Sequence, residues 1–430
     1  MAKTYRSYEP NQSSLLPLNP RDWLPDGHVA LFVDDVVERL DLSAIYAPYE
    51  QEERGYPPHD PTMMTKVWFY AYTQRVHASR QVERRCGEDV GFRVLAAGNK
   101  PDHVSLSRFR KKHLKALAGL FVQVLRLCQE SGLVKMGHVA IDGTKIKANA
   151  SRHKAMSWDR LNKEDDRLRK EIEKALQEGS DIDDEEDAAN APVPNRLPPG
   201  FETRAKRLKK IEEAMQRLRE RAKQEQDDPN AQPDSKMQTN FTDPESRIMP
   251  TSSPKGAFDQ AYNAQLAVDA KAQVILATAV SQTSTDQPHL LLLIDQVRTN
   301  VGAYPRKASG DAGYYSKANV DGLREREVTA FIPPDRPRHN EVPPPAPRGR
   351  IPATLSPKDR MRRRLRTKAG RATYRMRKSI VEAPIGLVKR VLGFRRFNLR
   401  GHQNAQDEWA FVATAYNVMK LYWTASARAG

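Results

Sequence analysis

Three acids in this chain stand in surroundings that suit chemistry better than solvation. Asp142 follows the apolar run 138–141 in HVAIDGTKIKANAS and is followed by a glycine, Thr144, Lys145 and Lys147. Asp311 lies in ASGDAGYY and Glu382 in RKSIVEAPIG. A carboxylate at the tip of a buried strand is held rigidly, and three carboxylates brought together stay ionised only with cations among them. An oxygen-only site of that kind suits Mg2+ or Mn2+. Two such ions about 3.5–4 Å apart can clamp the attacking and leaving oxygens of an in-line phosphoryl transfer. Each acid also has a plainer reading. Asp142-Gly143 is a common turn signal, Asp311 suits an ordinary loop, and Glu382 suits a salt bridge on an Arg-rich helix.

The elements that must position these acids follow from the apolar spacing. Residues 136–150 hold a short strand ending at Asp142. FDQAYNAQLAVDA and AQVILATAVSQ alternate as a hairpin turning over 269–273. TDQPHLLLLIDQVRTNVG predicts a helix with Thr285 as N-cap, and Asp286 beside it reads better as a cap than as a site group. RKASGDAGYYSKANVDGLRER predicts a strand, a loop carrying Asp311 and a helix, and VTAFIPP predicts another strand. The long basic helix over 360–393 carries Glu382 and is interrupted by Pro384. The closing stretch ends in an apolar helix. Without the insertion described below, the order β-β-β-α-β-α-β-α matches a ribonuclease-H-like α/β fold with a mixed sheet. There the ends of the first and fourth strands lie side by side, and a late helix reaches the same point. Asp243 and Arg247 fit a local turn pair.

Around this core the chain divides. Residues 1–20 read as extended. Residues 21–135 read as an all-α domain, with apolar residues at three- and four-residue spacing. Within it, helix caps fall at Ser79 and Ser105, and a turn carries Gly98 and Pro101. The second helix presents Arg108, Arg110, Lys111 and Lys112, as in a helix-turn-helix that meets DNA. A helical bundle with basic outer faces fits the same pattern equally well. Residues 136–430 form the catalytic domain, interrupted over 155–230 by a helical hairpin. Leu161, Leu168, Ile172 and Leu176 share one face of its first helix. Leu208, Ile211, Met215 and Leu218 form a heptad-like seam on the second. Packing or dimerisation suffices to explain it. Residues 335–360 form a Pro/Arg-rich loop.

Charge points to the partner. The net charge is +17, and residues 336–400 alone carry 20 Lys/Arg against three acids, so the excess sits in one block. A concentrated basic block is the footprint of a polyanion. Cys86 and Cys128 form no CxxC pair, and the ten His show no zinc-ligand spacing. No apolar run is long enough for a membrane span, and the N-terminus has no signal-peptide core, so a cytoplasmic protein without membrane contact is expected.

HVAIDGTKIKANAS, SRIM, GYYSKANV and YRMRKSIVEAPIGLVKRVLGFRRFNLRG together resemble the DDE transposases of bacterial insertion sequences. The resemblance is to the group with a helical N-terminal transposase domain and a ribonuclease-H-like catalytic domain. PDHVSLSRFRKKH resembles the end of that N-terminal domain, and DEWAFVATAYNVMKLY its closing helix. The resemblance implies that Asp142, Asp311 and Glu382 are the catalytic, metal-binding triad, holding two Mg2+ or Mn2+ ions. The family's Tyr-Arg-Glu-Lys signature has two, three and six residues between its members. Glu382 and Lys389 keep the six-residue gap, Lys378 stands where Arg is usual, and Tyr374 is one position out of register, with Arg375 and Arg377 beside it. These residues, with Lys145, Lys147 and Arg400, are the expected DNA contacts of the catalytic domain. The implied function is transposition. A homodimer binds terminal inverted repeats, a phosphodiester at the element's end is cut, and the freed 3′-OH attacks target DNA, without a covalent protein–DNA intermediate. The setting is the bacterial cytoplasm, at the nucleoid when DNA is bound. A DNA-binding regulator with an idle catalytic domain, or a nuclease on the same fold, are the alternatives.

Overall fold

The computed structural model describes residues 19–50, 57–188, 201–250, 257–335, 344–352 and 354–429. The expected extended segment 1–20 therefore lies almost wholly outside the described residues, as does part of the Pro/Arg-rich loop.

The N-terminal part is helical: α1 (Val29–Glu38), α2 (Ser43–Glu50), α3 (Pro61–Thr73), α4 (Ser79–Glu88), α5 (Val90–Leu95) and α6 (His103–Glu130). The caps differ from those expected. Ser79 is already inside α4, whose N-cap Ala78 makes no side-chain bond. The start of α6 is set by Asp102, whose carboxylate accepts from Val104 N at 2.8 Å and Ser105 N at 3.0 Å. A carboxylate satisfies two orphan amides at a helix start and complements the dipole, which a Ser at the third position cannot do.

The strands are β1 (Val139–Lys147), β2 (Ala155–Ser157), β3 (Gln238–Asn240), β4 (Arg247–Pro250), β5 (Phe258–Asp269), β6 (Ile275–Ser281), β7 (Lys307–Ser309) and β8 (Thr329–Phe331). The main sheet runs β4-β5-β1-β7-β8, with β6 also on β5. β1 is antiparallel to β5 and parallel to β7, and β7 is parallel to β8, so the sheet is mixed. β2 and β3 pair separately at the foot of the insertion. β1 is longer than expected: Asp142 sits inside a nine-residue strand, not at its end. β5 pairs with it over its whole length, whereas β7 pairs only at Val139 and Ala140. One edge of β1 is therefore free of β7 from Ile141 onward.

The insertion consists of α7 (Trp158–Ala188) and α8 (Phe201–Gln226). Leu161 and Leu168 pack on Ile211, Met215 and Leu218 in a small core of their own; the side chain of Leu176 lies outside the described residues. Beyond β6 come α9 (His289–Val301), α10 (Lys317–Glu325), α11 (Pro357–Arg366), α12 (Lys368–Gly386) and α13 (His402–Ala429). α9 starts at His289 with Pro288 as N-cap, so neither Thr285 nor Asp286 caps it. The single long basic helix is in fact two. Thr367 ends α11 and caps α12 through Gly370 N at 3.0 Å. A Cβ on Gly370 would stand 1.9 Å from the Arg364 carbonyl oxygen, so only glycine fits this corner. Pro384 does not end α12. The helix widens just after it into a π-helical turn, Leu387–Val391, in which Leu392 N reaches back to Leu387 O at 2.9 Å.

The two expected domains share one apolar core, which runs without a break from Ala30 in α1 through the sheet to Leu421 in α13. Phe69 on α3 meets Phe411 on α13 edge to face. Tyr72 Oη donates to Glu408 Oε1 at 3.0 Å, and the other Glu408 oxygen accepts from Asn398 N at 2.9 Å, so one buried carboxylate ties α13 to α3 and to the FNLRG segment. Among the described residues no helix is long and apolar enough to cross a membrane.

Candidate active site

Side chains alternate across β1, and each face meets a different partner. Asp142 and Thr144 turn toward α12. Arg377 Nη1 donates to Asp142 Oδ2 at 3.1 Å, and Lys389, in the π-helical turn, donates to Thr144 Oγ1. Gly143 and Lys145 lie opposite Gln265 and Asn263 of β5. These two carboxamides both donate to Asp286 Oδ1 at 2.7 Å, and Lys145 Nζ stands 3.6 Å from the same oxygen. A Cβ on Gly143 would lie 2.3 Å from Gln265 Nε2 and 2.9 Å from Asp286 Oδ1. The glycine of the Asp-Gly pair is thus not a turn residue. It lets Gln265 and Asp286 close over the strand.

Asp311 follows β7 by two residues, and its carboxylate caps a short 3-10 turn through Gly313 N at 2.8 Å. Extending the pairing of Ala140 with Ser309 places Asp142 and Asp311 at matching positions where the two strands part. A Cβ on Gly313 would lie 3.0 Å from Asp311 Oδ1 and 3.5 Å from Asp286 Oδ2, so these two acids flank one glycine. Beneath them the fully buried Tyr314 donates to Gln265 Oε1. Burial, reinforced by Asp286, Asp142 and Asp311, holds the Tyr314 phenol far above its ordinary range.

Burial also pushes the Asp142 carboxyl up to about 6. Asp311 and Asp286 add to the rise, and the Arg377 guanidinium opposes it. Burial lowers the ammonium groups of Lys145 and Lys389. Two polar atoms on the same side as Asp286, Asn263 Oδ1 and His289 Nε2, are buried with no hydrogen-bond partner among the described residues, as is Arg377 Nε on the Asp142 side.

The structure brings Asp142 and Asp311 together, and with them Asp286. It does not bring Glu382 there. Glu382 is exposed on α12, with no hydrogen bond or ion pair among the described residues; Arg377, five residues earlier, meets Asp142 instead. No group of three or more His, Cys, Asp or Glu in metal-holding geometry occurs among the described residues. Tyr374 is half-buried with the Arg377 guanidinium over its ring, 5.8 Å from the centroid. Two residues separate Tyr374 from Arg377, the spacing that the signature has between its Tyr and Arg, whereas Lys378 keeps the signature's spacing to Glu382.

Two of the expected DNA contacts are buried. Arg377 is bonded to Asp142. Arg110 is buried, donates to His77 O at 2.7 Å and stacks over Trp68 at 4.3 Å. Arg108, Lys111, Arg375, Lys378 and Arg400 are exposed. Lys147 is paired with Asp259 at 2.8 Å. Asp243 and Arg247 form no pair; Asp243 accepts from Tyr262 Oη at 2.9 Å and from Gly401 N at 3.2 Å, while Arg247 donates to Pro244 O and Ser246 O. Sequence reading missed Asp286, Asn263 and Gln265. The available signal was two carboxamides at alternate positions of the stretch 261–268, whose other residues are all of apolar or aromatic type.

Residues 234–418 match the family model of the transposase DDE domain, and residues 18–112 match that of a transposase domain known as DUF772. Asp311 and Glu382 fall within the first match; Asp142 lies between the two. No curated protein matches the chain. Among solved structures, the crystal structure of a pre-cleavage Mos1 transpososome is similar at 9% identity over 88% of this chain and 81% of that one. Its TM-score of 0.19 is too low to argue from. Two transposase models, one over the helical N-terminal region and one over most of the sheet and its helices, place the chain in the DDE transposase family.

Proposed function

We propose that this protein binds the terminal inverted repeats of an insertion sequence, cuts DNA there in a divalent-metal-dependent reaction and joins the freed 3′ end to target DNA. The observation that carries this reading is the gathering of Asp142, Asp286 and Asp311 about the middle of β1, with Asp142 and Asp311 at matching positions where β1 and β7 part and Asp286 and Asp311 flanking Gly313. The donor set is hard oxygen, and the unpartnered Asn263 Oδ1 is one more such oxygen beside Asp286. This chemistry fits Mg2+ or Mn2+. Asp142 and Asp311 would hold the metal, with Asp286 or Glu382 as third carboxylate. When bound, such ions lower the pKa of a water and stabilise charge on the phosphate oxygens. The chain's own groups supply the rest. Arg377 fixes the rotamer of Asp142, Asn263 and Gln265 fix Asp286, and Lys145 and Lys389 offset the crowded negative charge. Exposed cations on α6 and α12 attract the DNA backbone.

The test is a strand-cleavage and joining assay on DNA carrying the element's ends, with Mg2+ or Mn2+, comparing wild type with Asp142→Asn. Metal-dependent cutting lost in the variant supports the reading. A second reading, a DNA-binding regulator with an idle catalytic domain, is favoured by the exposed Glu382 and by Arg377 on Asp142. It predicts tight end binding with no cutting in either metal.

A further inference from the structure

The helical insertion packs, but its outer side does more than pack. A groove of about 920 Å³ opens between α8 and the segment leaving β1. It is lined by Lys154, Lys206, Arg207, Lys210, Arg217 and Arg400, with Met156, Ile211 and Phe241 as an apolar floor. One acid, Glu213, faces these six cations. Some of the positive charge is answered. Arg207 reaches Glu164 at 2.6 Å, Arg217 reaches Glu213 at 3.7 Å, and Lys206 reaches Glu202 at 3.2 Å. Lys154 and Lys210 are exposed and have no acid partner among the described residues, and the hydrogen bond of Arg400 goes to the Asn149 carbonyl, not to an acid.

The layout points to a polymer. From Lys206 to Arg217 along α8 is about 16 Å at 1.5 Å per residue. Duplex DNA carries a charge every ~1.7 Å of axis, so a row of this length spans many phosphates, whereas one small anion would occupy only part of it. The position is telling as well. Lys154 follows the end of β1 by seven residues, and Arg400 is bonded to Asn149 in the same connection. The groove thus lies just past the end of β1, the strand that carries Asp142.

We propose that the insertion is a second DNA-binding element, and that its groove holds the phosphate backbone of duplex DNA flanking the cut. This rests on the DNA-cutting reading above. The test uses the full-length protein and a triple variant, Lys154→Gln/Lys206→Gln/Lys210→Gln. All three sites are exposed, and Gln keeps helix propensity. Affinity for end-containing duplexes is measured over a salt series, and cleavage is measured in parallel for wild type and Asp142→Asn. Expected are equal melting temperatures, about tenfold or more weaker binding, and a log–log salt slope shallower by roughly 2–3. Unchanged affinity and slope, with cleavage still lost in Asp142→Asn, overturn the groove and leave the function standing. A wild type that neither binds nor cuts end DNA overturns both.

Discussion

Arg377 and Asp142, 235 residues apart in sequence, meet at 3.1 Å, and no other α12 side chain bonds that carboxylate among the described residues. The guanidinium on α12 therefore holds the orientation of the β1 acid. Arg377→Lys keeps the charge but loses the planar fork. A drop of about tenfold in cleavage is expected with end binding within about threefold of wild type. Equal loss of binding would instead make Arg377 a phosphate contact.

Asp142→Asn keeps the shape but removes the charge and leaves one acceptor oxygen for the two donors, Arg377 Nη1 and Gly143 N. Cleavage should fall on the order of 10³-fold or more, while the affinity for end DNA stays near wild type. Parallel gel-shift and cleavage measurements check this; retained cutting would remove Asp142 from the site.

Asp286 and Glu382 are the two candidates for the third carboxylate of the proposed site. Asp286 is bonded to Asn263, Gln265 and Lys145 around the free edge of β1, whereas Glu382 is exposed. If the described arrangement is the working one, Asp286→Asn lowers cleavage by about 10–100-fold and Glu382→Gln leaves it unchanged. The reverse result means that α12 turns when DNA and metal bind.

Gly370→Ala places a methyl group against the Arg364 carbonyl. The corner between α11 and α12 must open, at a cost of about 1–3 kcal/mol. A lower Tm, with cleavage falling alongside it, is the expected outcome; an unchanged Tm would show that the two helices tolerate other angles.

Burial lowers His77, His113 and His138 to about 4. Their unfolded value is about 6.5. The unfolded chain thus binds more protons in this window, so stability is full above about pH 6.5 and is lost as pH falls toward 4. Asp142, raised to about 6, acts in the opposite sense over part of the range. Asp243 and Asp407, also raised by burial, act with Asp142, and His289, also lowered, acts with the other imidazoles; the histidines outweigh the acids, and Tm should fall from pH 6.5 to 4. His77 packs edge-on against Tyr72 and Phe394 and leaves Nε2 unpartnered, so His77→Phe should flatten that slope. An identical slope would assign the acid sensitivity elsewhere.

Much of this architecture was legible in the chain because period-two and helical apolar patterns are local. The strands on either side of the turn at 269–273, the loop carrying Asp311 and the seam of the insertion all lie where the spacing puts them. What was not legible depends on which face a side chain takes and on what crosses it. Asp142 read as a strand tip because nothing local shows that β7 leaves β1 after two residues. Asp286 read as a cap because its partners, Asn263 and Gln265, lie more than twenty residues earlier. The basic helix read as continuous because the corner at Gly370 is enforced by a carbonyl six residues away. Arg110 read as a DNA contact because its burial against Trp68 needs the packed bundle.

The uninterrupted core from α1 to α13 also has a mechanical meaning. Among the described residues, α6, which carries the exposed basic face, and the strand that carries Asp142 bury their apolar sides in the same core. On the proposed function, a DNA that touches both would be gauged against one folded body and not against two tethered ones.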